Sequence, residues 1–215
     1  MSSLVLELQR DAMNSTVPVT DLLRKAYVVA VKLNLPKFRE WIEYEQNGYT
    51  ETKLAPDYRI VHGIPRVRNP YHGYQPFHIQ DPGIANTASK ACFNNPLSEI
   101  EALANDPRDE THIPTMYPNE MRKFLMRGMS IPLEPSLHIG KTQFGNIVHA
   151  VRNAILTWSL ELEKDGILGN DLSFSHEEKQ VASAKADELA QVVNITVIGN
   201  MHNSSIQQAS PSAKA

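Results

Sequence analysis

The sequence contains one cysteine, no long apolar run and no marked excess of either charge. Each shortage excludes something. Cys92 alone cannot form an internal disulfide, so packing and hydrogen bonds must hold the fold, and a reducing compartment is expected. The longest uninterrupted apolar stretch, Ala26–Val31, is clamped between Lys25 and Lys32. A membrane-crossing helix needs about 20 apolar residues. The N-terminus lacks a basic lead, and Glu7 breaks its apolar run, so no secretory signal is expected. A cytoplasmic location follows as an expectation, and the Asn-x-Ser/Thr triplets at Asn14, Asn194 and Asn203 then read as chance matches. Lys and Arg total 21 against 24 Asp and Glu, a formal charge of -3. That balance removes bulk electrostatic attraction to nucleic acid or membranes.

Chemical motifs are equally scarce. The eight histidines form no His-x3-His pair and no His-Glu-x-x-His, and there is no Cys-x-x-Cys. No metal site and no cofactor are expected. There is no Gly-x-Ser-x-Gly elbow, and nothing beside Cys92 would lower its pKa. Walker and Gly-x-Gly-x-x-Gly loops are absent.

Proline is plentiful in one region. Eleven of the 14 prolines lie between Pro56 and Pro135. Each interior proline costs a helix about 3 kcal/mol, which pushes long helices into the flanks. The N-terminal flank predicts three helices in a bundle. Ser3 caps the first and Thr20 the second, while Pro36 opens the third and Gly48 ends it. In the middle, 58–63 and 75–79 read as strands joined by turn chemistry at 69–73. Their prolines and glycines predict edge or short strands. Short helices are expected at 96–104 and 118–129, and a strand at 133–139. Lys141 to Lys164 predicts the longest helix, apolar on two sides. Ser175 and Glu178 form a capping box opening a last helix to about residue 191. The expected fold is α+β: an N-terminal helical bundle, a proline-rich β-containing middle, two C-terminal helices and a short β segment. Residues 1–193 would form the domain. Residues 194–208, with Gly199-Asn200 as a turn, would form a β-hairpin able to mediate oligomerisation. Residues 209–215 read as a disordered tail.

One local patch stands out. Arg59, Arg66 and Arg68 lie between Tyr58 and His78 without an acidic residue, interleaved with Tyr71, His72 and Tyr74. Arginines and aromatics can contact a protein partner or grip single-stranded RNA by phosphate contact and stacking. An RNase-like toxin is the enzymatic alternative. Its Arg-x4-6-His spacing on a long helix is not met, because His149 precedes Arg152. The expected role of His149 and Asn153 is as hydrogen-bonded core residues.

The segments Pro18–Ala26, Trp41-Ile42, Asn47-Gly48-Tyr49, Pro56–Arg59 and Asn69–Pro76 together resemble the AbiTii domain, named for one component of a bacterial abortive-infection phage-defence system. The ordered match covers about residues 2–82 and weakens over 99–191. The tail at 199–208 looks like short β segments of bacterial conflict proteins. The resemblance implies a recognition, regulatory or assembly role in phage defence and supplies no catalytic residues. Expected partners are a protein, a second copy through the C-terminal β segment, or a phage-derived trigger, with nucleic acid the weaker candidate and no membrane.

Overall fold

The computed structural model describes residues 3–107 and 111–191. The hairpin expected at 194–208 and the tail at 209–215 lie outside the described residues. Three helices open the chain: α1 (Leu4–Met13), α2 (Val19–Lys32) and α3 (Pro36–Asn47). Ser3 caps α1 as expected, its hydroxyl accepting from Leu6 N at 3.2 Å. Thr20 does not cap α2. That helix begins at Val19, and the Val19 N–H is taken by the Glu101 carboxylate at 2.9 Å. A carboxylate from a distant helix thus replaces the local cap. Gly48 ends α3 at φ 88°, and a Cβ there would stand 2.7 Å from the Asn94 carbonyl oxygen. Both facts require glycine.

The middle holds β1 (Ile60–Asn69), β2 (Gly73–Pro76), α4 (Pro82–Ala88), β3 (Lys90–Cys92), α5 (Leu97–Ala104), β4 (His112–Met116), α6 (Asn119–Arg127) and β5 (Glu134–Gly140). The sheet is antiparallel in the order β2-β1-β5-β4, with β3 pairing the start of β1. β1 is neither short nor an edge. It runs for ten residues, with β3 and β2 on one side and β5 on the other, a correction to the proline argument. The reason is local. β3 pairs Ile60–His62 and β2 pairs Arg66–Asn69, so Pro65 falls between them. Its carbonyl accepts from Phe77 N at 3.2 Å on that side, so the proline forgoes only the return bond of that pair.

α7 (Lys141–Lys164) and α8 (His176–Ala184) complete the fold, and residues 186–191 are helical again. The Ser175–Glu178 capping box is formed. α7 is the central pillar: Phe144, Ile147, Val151, Ile155, Trp158 and Leu162 are fully buried. Trp158 stacks on Phe38 of α3 at 3.7 Å. Gln9 of α1 reaches α7 by donating to the Ser159 carbonyl and the Glu163 carboxylate. One apolar cluster runs from Leu4 to Leu189. Within the sheet, Val61, Leu137, Ile139 and Ile113 join this cluster. Alternation along each strand turns the other face outward.

Candidate functional site

The six patch residues part company. Arg59 is completely buried and does not share a surface with the other five. It ends a 3-10 turn (Asp57–Arg59) and points inward to Glu45 on α3, which is also completely buried. Arg59 Nη2 donates to Glu45 Oε2 at 2.6 Å, and Nη1 donates to the Phe93 and Asn95 carbonyls at 2.9 and 2.6 Å. Tyr49 and Tyr58 hydroxyls donate to Glu45 Oε1 at 2.6 and 2.5 Å, and Trp41 Nε1 donates to the Tyr58 oxygen at 3.1 Å. The guanidinium lies 4.8 Å from the Tyr49 ring centre. A buried ion pair survives when its remaining hydrogen-bond capacity is filled, and here it is. Burial, then the Glu45 charge, pushes both tyrosine pKa values well up. Burial by itself would lower Arg59, but Glu45 overrides it and the pKa rises. This knot ties α3, β1 and the β3–α5 loop together.

The remaining five sit on the β1–β2 hairpin. Arg66 and Arg68 project from the outer face of β1, and Tyr74 stands opposite Arg68 on β2. Register adds Ile64 from β1, Ser136 and His138 from β5, and Met116 from β4 to the same face. No described helix covers it: Ile64 is 50% exposed and Met116 54%. Yet Ser136 and His138 are buried, at 2% and 6%. The Tyr74 ring explains part of this, meeting the His138 ring edge-on at 4.4 Å. Register puts Tyr74 beside Arg68 and His138 beside Ile64, two strand spacings and four residues apart. In a flat sheet their Cα atoms would be roughly 16 Å apart, too far for the rings to touch. The hairpin therefore curls over the outer face and makes it concave. Arg66 Nε and Ser136 Oγ lie on its floor, buried and without a hydrogen-bond partner.

The hairpin tip is ordered by its own side chains. Asn69 Oδ1 accepts from the Tyr71 and His72 amides at 2.9 and 3.2 Å, and Gln75 Nε2 donates to the His72 carbonyl at 2.9 Å. Gly73 supplies the left-handed φ of 70° that closes the turn. The result presents Tyr71 at 90% exposure, with His72 exposed beside it.

A comparison with family models matches residues 3–187 to AbiTii. The chain belongs to the AbiTii family. That membership gives it a role in abortive-infection phage defence. No curated protein and no solved structure matches it significantly.

The stretches that resemble AbiTii now divide physically. Trp41, Tyr49, Tyr58 and Arg59 build the buried knot, whereas 69–76 form the exposed hairpin. The first set is buried or half-buried and the second is largely exposed. The residues that the RNase-like alternative would draw on lie elsewhere, on α7. Arg152 donates to the Asp11, Ala12, Asn14 and Val17 carbonyls, closing the C-terminal end of α1. His149 and Asn153 are exposed, which corrects their expected core role: they lie beyond the edge of the buried stripe of α7. Cys92 is half-buried, its thiol pKa raised by burial. Among the described residues no three or more His, Cys, Asp or Glu side chains are grouped to hold a metal ion, and no helix is long and apolar enough to cross a membrane. A surface cleft between α2, α3 and α5 is lined by Thr20, Leu23, Arg24, Gln46, Leu97 and Ser98. Sequence reasoning missed Ser136, His138, Ile64 and Met116 as neighbours of the arginines. Only strand register brings them there, although the alternation within 134–140 was a usable signal.

Proposed function

We propose that this AbiTii chain serves abortive infection by recognition and assembly, holding a protein partner on the concave outer face of its sheet and on the adjoining hairpin tip. The carrying observation is the combination of a face that no described helix covers, bearing Ile64, Met116, Arg66 and Arg68, with an ordered tip bearing Tyr71. Tyrosine and arginine are the side chains that most often anchor protein interfaces, and a pre-ordered tip reduces the entropy lost on binding. A phage-derived protein that triggers the response is one partner of this kind. The cytosol is the proposed place of action.

Phage plaque counts on cells carrying the complete defence system test the reading. Ile64→Glu and Tyr71→Ala should each remove protection while leaving the circular dichroism spectrum and expression unchanged. Full protection in both would reject it. The RNase-like reading is disfavoured because Arg152 is committed to four carbonyls. Cleavage of total RNA by the purified protein, lost in His149→Ala, would reinstate it. RNA binding through Arg66 and Arg68 instead predicts steeply salt-dependent affinity.

A further inference from the structure

We propose that Arg66 and Ser136 form the floor of a carboxylate-binding subsite in the outer face, filled by an acidic side chain of a protein partner. This rests on the docking reading above and names its chemistry.

Two facts carry the inference. Buried polar atoms in native proteins are nearly always hydrogen-bonded, and an unpaired one costs free energy. Here two such atoms, Arg66 Nε and Ser136 Oγ, lack partners on adjacent strands. Their residues are directly opposite in the β1–β5 register, so their side chains emerge side by side on one face. Two solitary defects far apart would mean little. Two on directly paired residues, both able to donate, describe a place where an acceptor belongs.

The sign of that acceptor follows from the charges around it. Arg66 carries a fixed positive charge, and Arg68 adds a second on the same face two residues along. The carboxylate opposite Arg68 is Glu134, and its Oε1 accepts from Arg122 of α6 at 2.9 Å. Neither arginine forms an ion pair with a described residue. An incoming carboxylate would accept from Arg66 Nε–H with one oxygen and from the Ser136 hydroxyl with the other. Tyr74, exposed on the four-residue edge strand β2, flanks the site with its ring against His138.

The surroundings distinguish a protein acid from a nucleic-acid phosphate. The rim is apolar, with Ile64 and Met116 exposed, Pro76 opposite Arg66 and Pro114 opposite His138 in register. The whole chain carries a formal charge of -3. Nucleic-acid sites need a basic track several phosphates long, whereas a protein interface needs one buried charge contact inside an apolar ring.

The full chain, titrated with a blocked tetraglutamate peptide and separately with a decauridylate RNA, supplies the test. The readout is the Arg66 Nε–H resonance in a proton–nitrogen correlation spectrum. Tetraglutamate should move that resonance, and Ser136→Ala and Arg66→Lys should each weaken its binding about tenfold, since both remove a charge-assisted donor. Arg66→Lys keeps the charge, so its effect reports geometry and not attraction alone. An unmoved resonance, undiminished binding in both variants, or tighter Arg66-dependent binding of the RNA would each overturn the subsite. Plaque counts separate it from the broader reading. Protection lost in Ile64→Glu but kept in both Ser136→Ala and Arg66→Lys would sink the subsite and leave docking standing. Protection kept in both Ile64→Glu and Tyr71→Ala would sink docking itself.

Discussion

Glu45 and Arg59 are both entirely removed from water, and the hydrogen-bond donors around Glu45 come from three separate side chains. Removing one member of a buried pair leaves the other as an uncompensated charge, at a cost of about 3–5 kcal/mol. Glu45→Gln should therefore lower the urea unfolding free energy by about that amount; a loss below about 1 kcal/mol would show that the pair does not hold the fold. Tyr49 and Tyr58 add a pH signature. Their folded pKa values lie above the ordinary 10.0. The unfolded chain then gives up these protons first, so their contribution is complete below about pH 10 and declines as pH rises beyond it. Urea midpoints measured from about pH 9 to 11 should fall, and fall less steeply in Tyr49→Phe; equal slopes would refute the linkage.

Elements in this molecule are often finished by residues from elsewhere. Arg152 of α7 closes α1 by serving four carbonyls that its helix leaves free or that follow it. Arg152→Met keeps the stem and removes the donors. It should cost about 1–3 kcal/mol in urea unfolding, and no change would deny the capping role. The β1–β2 hairpin is the opposite case, completed from within by Asn69 and Gln75. Asn69→Ala should speed hydrogen exchange at the Tyr71 and His72 amides about tenfold or more while leaving global stability nearly unchanged. Unaltered exchange would mean that Asn69 does not hold the tip. The same contrast explains what was legible. Pro36, Gly48 and the Ser175–Glu178 box mark α3 and α8 through contacts within a few residues. By contrast, β4 holds five residues and a proline, β3 only three, and neither has a periodicity long enough to read.

At the scale of the whole molecule, one apolar cluster joins Leu4 of α1 to Leu189 near the end of the described chain. The segment at 194–208 lies outside the described residues. We propose that it pairs copies of the chain, since unpaired strand edges seek partners. Deleting residues 194–215 should then reduce the mass measured by light scattering while shifting the melting temperature by less than about 3 °C. An unchanged mass would remove self-association through this segment.

Sequence alone marked the three N-terminal helices, α5, α6, α7 and the start of α8, where proline confines the sheet, and the resemblance to AbiTii, because caps, periodicity and motif residues act over short distances along the chain; it did not mark α4. Only the tertiary structure decided which arginines reach the surface. Arg59 and Arg66 are seven residues apart in one run of similar composition, yet one faces Glu45 in the interior and the other lines an open sheet face. Burial depends on what packs against a strand, and those neighbours come from α3 and β5, far away in sequence.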